Sequence, residues 1–111
     1  MGSSNTVVLA GGLAAQEFEE ALRPVDPLGR GLARCRFDYS GVSFVTLDAL
    51  AEALTLYNQL ARAGCSVELA WPDGDTRSFA ARMGFFEALD PRVTVVPDRD
   101  VVRRQRCRWG V

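Results

Sequence analysis

The sequence predicts an α/β domain: a four- to five-stranded, mostly parallel sheet with α-helices packed largely on one face. Three observations carry this. Short β-branched runs alternate with helical patterns, the order expected of a parallel sheet with right-handed crossovers. From Leu47 to about Ala63, apolar residues recur at helical spacing between clear end signals. Along Leu32–Tyr39, Cys35, Phe37 and Tyr39 alternate with Arg34, Arg36 and Asp38, the period of a half-buried strand. That charged side predicts a sheet face less fully covered than in a doubly wound fold.

Each element has its own signals. Thr6–Leu9 is β-branched, and Ala10-Gly11-Gly12 is expected to close it as a turn. Ala14, Phe18, Ala21 and Leu22 share one helical face, and Pro24 and Pro27 stop that helix. Arg23–Gly31 is a connector rich in proline, glycine and charge. After the alternating strand, Ser40-Gly41 is expected to turn and Val42–Val45 to form a brief apolar segment.

The next helix places Leu47, Leu50, Leu54, Tyr57 and Ala61 on one side, with Leu56 and Leu60 widening the stripe. Thr46 is its expected N-cap, and Gly64 follows its end. Cys65–Trp71 is a strand closed by Pro72-Asp73-Gly74. Asp75 or Thr76 is expected to cap a third helix reaching Met83, where Gly84 stops it and Phe85-Phe86 plug the core. Val93–Val96 is a last strand before Pro97. Residues 1–97 are thus expected to form the domain, and residues 98–111 an Arg-rich C-terminal helix or tail.

The 111 residues, 48% hydrophobic and 24% charged, suit one globular domain able to bury a core without metal or disulfide. A net charge of -1 gives no overall field toward nucleic acid or an anionic membrane. Every basic residue is arginine, which fits a GC-rich coding sequence and also suits bidentate contacts to carboxylate or phosphate. Cys35, Cys65 and Cys107 make no CxxC, and histidine is absent, so zinc-ligand spacing is missing and no metal is expected. No apolar run approaches the roughly 20 residues that span a bilayer, and the first residues lack a signal-peptide pattern. A cytoplasmic location without membrane insertion is the expectation.

Several stretches, in order, resemble a STAS domain, the sulfate-transporter and anti-sigma-factor-antagonist family. Val7 to Leu13 looks like a shortened first strand and turn. Phe-Asp-Tyr-Ser-Gly-Val-Ser-Phe-Val at Phe37–Val45 resembles the strand that approaches the family's switch loop. Leu60–Leu69 is similar to the family's helix, glycine stop and following strand, and Arg82–Leu89 to its third helix, glycine cap and apolar plug. Met83-Gly84-Phe85-Phe86 also resembles STAS-like domains that sit beside GHKL-type ATPase domains in bacterial proteins. Together these stretches cover about four-fifths of the chain.

The resemblance implies a non-catalytic regulatory module that binds another protein, an ATPase or kinase-like domain in particular. It also locates a departure. Family antagonists carry Asp-Ser-Ser/Thr-Gly at the start of the second helix, where the serine is phosphorylated and helix N–H groups stabilise the added charge. Here Thr46-Leu47-Asp48-Ala49 stands in that place. Leu47 has no hydroxyl, so the standard phosphoswitch is missing; Thr46 is a weak substitute one residue earlier.

The expected partner surface is the loop–helix edge at the carboxyl end of the sheet. Its residues are Ser43, Thr46, Asp48, Ala49, Glu52 and Ala53, with the two alanines small enough for close approach. Asp48 and Glu52, one turn apart, face the same way. The alternative is a small-molecule or nucleotide-binding regulatory domain holding an anion at the same helix N-terminus. An enzyme is the least favoured class. Asp38 and Asp48 flank the loop as a candidate carboxylate pair, but ordinary surface acids are the simpler reading.

Ala10-Gly11-Gly12 lacks both GxGxxG spacing and a Walker lysine, so no nucleotide cofactor is expected from it. Cys65 lacks the neighbours that would activate a thiol. Arg103-Arg104-Gln105-Arg106-Cys107-Arg108-Trp109 admits two readings: a contact to an acidic partner or nucleic acid anchored by Trp109, or a solvated helix or linker.

Overall fold

The computed structural model describes residues 4–97. Strands β1 (Ser4–Leu13), β2 (Arg34–Val45), β3 (Ser66–Ala70) and β4 (Thr94–Val96) form one sheet in that order. All three neighbouring pairs are parallel. Helices α1 (Ala15–Leu22) and α2 (Pro27–Arg30) link β1 to β2, α3 (Leu47–Arg62) links β2 to β3, and α4 (Asp75–Arg82) with α5 (Phe85–Ala88) leads to β4. The expected α/β class and parallel sheet are present, with four strands among the described residues.

The two sheet faces differ sharply. Val7, Leu9, Cys35, Phe37, Tyr39, Val67 and Leu69 are buried under the helices. The alternate residues Thr6, Val8, Arg34, Arg36, Ser66 and Thr94 are exposed. Strand register aligns Thr6, Arg36, Glu68 and Thr94 across this open face, where Arg36 Nη1 donates to Glu68 Oε2 at 2.5 Å. The period-2 pattern of Leu32–Tyr39 therefore reports a sheet that, among the described residues, is covered on one side only.

Helix α3 is held by the stripe its spacing predicts. Leu50, Ala53, Tyr57, Leu60 and Ala61 are buried, and Leu54 is half-buried against the core. Tyr57 is the hub, with its ring 4.5 Å from Phe37 and 6.2 Å from Phe18. Its hydroxyl lies 2.6 Å from that of Tyr39, and burial pushes both phenols well above their ordinary titration range. Tyr39 in turn stacks on Trp71 at 3.9 Å with rings 4° from parallel. Trp71, fully buried, packs against Phe85 and Phe86, the expected apolar plug.

Because the two phenols satisfy each other in a buried site, Tyr39→Phe leaves the Tyr57 hydroxyl without its buried partner. A loss of about 1–3 kcal/mol in denaturant unfolding is expected; a change within error would show that the pair contributes nothing.

Among the described residues, one charged side chain belongs to this core. Arg77, only 3% exposed, projects from α4. Its Nη1 donates to Trp71 O and its Nη2 to Pro97 O, each at 2.7 Å. The guanidinium also lies 5.5 Å from the Phe86 ring centre and 4.0 Å from an Asp73 carboxylate oxygen. It ties together the chain ends that leave β3 and β4.

Four expectations are corrected. Ala10-Gly11-Gly12 is not a turn: β1 runs through it to Leu13. Ser40-Gly41 is not a turn either, since β2 continues to Val45. Register shifts between Val8/Ala10 and Gly11/Gly12 absorb both glycine-bearing stretches as bulges. The connector holds a turn of helix, α2, whose N-cap Asp26 accepts from the Gly29 amide at 3.3 Å. Finally, α4 begins on Gly74 without a side-chain cap, and Thr76 instead accepts the indole N–H of Trp71 at 2.9 Å. The Arg-rich end lies outside the described residues, as does Cys107.

Candidate functional site

Strand β2 pairs with β3 only over Arg34–Asp38, yet it pairs with β1 as far as Val45. Beyond Asp38, β1 and β2 therefore continue as a two-stranded ribbon. Buried Leu13, Val42 and Val45 fix its inner face to the helices. The Thr46 amide donates to Leu13 O at 3.0 Å, which closes the ribbon and sets the start of α3. The β2–α3 junction thus stands at the carboxyl end of the sheet, on elements anchored by core residues.

At that junction the helix cap is doubly tied. The Ala49 amide donates to Asp48 Oδ1 at 3.0 Å and to Thr46 Oγ1 at 3.4 Å. The Thr46 hydroxyl donates to Asp48 Oδ1. These bonds, the Thr46 hydroxyl first, hold the Asp48 carboxyl below the usual carboxylate range. Thr46 is the N-cap expected from sequence. One turn on, the Glu52 carboxyl meets Glu19 of α1; their hydrogen bond and shared charge raise Glu52 above its ordinary value.

The predicted surface residues divide. Ser43 and Asp48 are exposed, and Thr46 and Glu52 are half-buried at the same edge. Ala49 and Ala53 are each 1% exposed and belong to the core, so they do not line the surface. Their small size serves the packing of α3 on the sheet, and alanine's indifference to water hid this in the sequence. Leu47 is the converse correction. It has the spacing of the buried stripe but is 59% exposed, because it is the first residue of α3 and stands at the rim.

Phe44 was not singled out by sequence, and it is 57% exposed, three residues before the exposed Leu47. Its ring lies over Gly12: a Cβ built there would overlap Phe44 Cε1 and Cζ. The detectable signal was parity, since Phe44 falls between buried Val42 and Val45 where the bulged strand changes phase. Phe44 and Leu47 thus add two large apolar side chains to the acidic edge.

The candidate carboxylate pair has no member with a raised pKa. Asp38 Oδ1 accepts from the Ser40 amide at 2.9 Å, which lowers its pKa, as that of Asp48 is lowered. Both are ionised near neutral pH, so neither supplies the raised-pKa acid of an acid–base couple. Cys35 and Cys65 are buried in the core, and that burial raises their thiols, Cys35 to about 11. Among the described residues, no group of three or more His, Cys, Asp or Glu is placed to hold a metal ion. No described helix is long and apolar enough to cross a membrane.

This architecture is a STAS-like domain fold. The chain superposes on the anti-sigma factor antagonist SpoIIAA in its unphosphorylated form, with a TM-score of 0.61 and 14% identity, over 100% of this chain and 94% of that one. It also superposes on an uncharacterized protein from the DUF3478 family with a SpoIIAA-like fold, from Shewanella loihica PV-4. There the TM-score is 0.52 and the identity 16%, over 94% of this chain and 80% of that one. At such identities the likeness establishes the fold. No protein-family profile matches the chain, and no curated protein matches it by sequence.

Proposed function

We propose that this chain is a non-catalytic regulatory module that binds another protein through the β2–α3 junction. The partner proposed is a GHKL-type ATPase or kinase-like domain. The observation that carries the reading is the exposure of Phe44 and Leu47 in the same β2–α3 segment that holds ionised Asp48. Two large apolar side chains at the rim of a charged edge are what a protein interface uses, an apolar centre with a polar border. The likeness to an anti-sigma factor antagonist and the resemblance of Phe37–Leu89 to STAS sequences support it. A cytoplasmic setting goes with this proposal.

The nucleotide-binding alternative is less well supported at this site. An anion at the start of α3 would need the first-turn amides, but the Ala49 amide already donates to Asp48 and Thr46. The fixed carboxylate would repel the anion as well. Affinity capture with the full chain, followed by identification of bound proteins and repetition with Leu47→Ala, tests the proposal. Partners captured equally by both proteins would remove the junction as the site.

The same geometry predicts that no phosphate enters here. Leu47 occupies the position of the family's serine, and the Thr46 hydroxyl is engaged with the carboxylate of Asp48. A phosphate on Thr46 would sit against that negative charge. Intact mass after incubation with a cognate kinase should remain unchanged; a mass gain mapped to Thr46 would show a switch displaced by one residue.

A further inference from the structure

We propose that a second copy of this chain pairs with the first along β1, antiparallel about a two-fold axis, joining the two four-stranded sheets into one. The two edges of the sheet are not alike. Strand β4 has three residues, follows the Asp90–Arg92 ion pair and runs into Pro97, the features that keep an edge from pairing. Strand β1 has ten residues and none of those features: no charge and no proline.

The absence of charge extends past the strand, since the first ionisable side chain in the chain is Glu17. No described strand lies on the outer side of β1. Ser4–Gly12 make no hydrogen bond to any described segment other than β2. Among the described residues, the outer backbone of β1 is thus a row of donors and acceptors open to another strand.

The occupant is a second copy because the strand complements itself. The bulges lie beyond Val8, which leaves Ser4–Val8 regular. Antiparallel pairing centred on Thr6 sets Thr6 opposite Thr6 of the second copy and Val8 opposite Ser4 of the second copy. No like charges meet, and threonine pairs are favourable across strands. Val8, at 67% the most exposed large apolar side chain among the described residues, gains cover on the open face. A two-fold closes the assembly at a dimer, because each copy has one such edge. A single strand per copy is a small interface, so dissociation constants of about 10–100 µM are expected.

Sedimentation equilibrium of the full chain, from about 5 to about 500 µM, tests this. The mass should rise from monomer to dimer, and the dissociation constant should be insensitive to salt, because the interface carries no charge. Val8→Lys and Thr6→Lys should each weaken the dimer about tenfold or more, with unchanged thermal melts. Val96→Lys, on the opposite edge, should dimerise like the parent. A monomer at every concentration would overturn the proposal. So would a dimer that survives both β1 variants, one lost in Val96→Lys, or one dissolved by salt.

Discussion

Replacing Arg77 by methionine is expected to lower the unfolding free energy by about 3 kcal/mol. The guanidinium is buried, and its two terminal nitrogens each donate to a backbone carbonyl, Trp71 O and Pro97 O, at 2.7 Å. Methionine fills much of the same volume without a donor, so both carbonyls lose a charge-assisted partner. Hydrogen bonds to charged groups contribute about 1.5–3 kcal/mol each, and part of the loss is offset because burying the charge itself was costly. Arg77→Lys should fall between the two, since an ammonium lacks the planar fork that reaches both oxygens. Chemical denaturation at neutral pH measures all three proteins. A loss below about 1 kcal/mol for the methionine variant would mean that the charge contributes no more than packing.

The second large effect belongs to the junction. Leu47→Ala and Asp48→Arg are each expected to cost about 2 kcal/mol or more of partner affinity, roughly thirtyfold. Leu47 would act as an apolar anchor, and reversing Asp48 would set an arginine against the cation expected on the partner. Leu47→Ala should move the melting transition little, because exposed substitutions usually alter stability by about 0.5 kcal/mol. Asp48→Arg also removes the Asp48 part of the α3 cap and is expected to cost about 1 kcal/mol of stability, to be subtracted from its binding effect. Calorimetric titration with the captured partner and a thermal melt of the same preparation separate binding from folding. Glu52→Arg extends the test one turn along α3. If all three variants bind like the parent, the surface lies elsewhere, and the Arg-rich segment becomes the next one to vary.

The sequence revealed more of the fold than of the surface. Helix α3 was legible because Leu50, Tyr57 and Ala61 repeat at helical spacing over about three turns, enough to outweigh local noise. The one-sided sheet was legible because arginines cannot alternate with Phe37 and Tyr39 on a strand buried on both faces. The ribbon was not legible. Glycine in a strand signals either a turn or a bulge, and the choice is made by pairing with a distant strand that local sequence does not show. The site inherits the same blind spot. Where β2 shifts phase, parity no longer tells inside from outside, so Phe44 went unmarked. At the start of a helix, spacing alone cannot tell whether Leu47 reaches the core. Alanine favours neither environment strongly, so Ala49 and Ala53 were assigned to the surface and proved to be core.

The ring of Phe44 over Gly12 makes those two positions one unit of inheritance. Any side chain at position 12 must occupy space the ring now fills. The ring's contacting atoms are at the far end of an exposed side chain, so the ring swings away rather than the backbone breaking. Gly12→Ala would therefore be nearly silent in stability yet would redirect an aromatic group at the proposed partner surface. Among descendants of this sequence, drift at position 12 should be tolerated by the fold but filtered by the partner. An aromatic residue at position 44 should keep company with glycine at 12, and lineages that lose one should be free to lose the other.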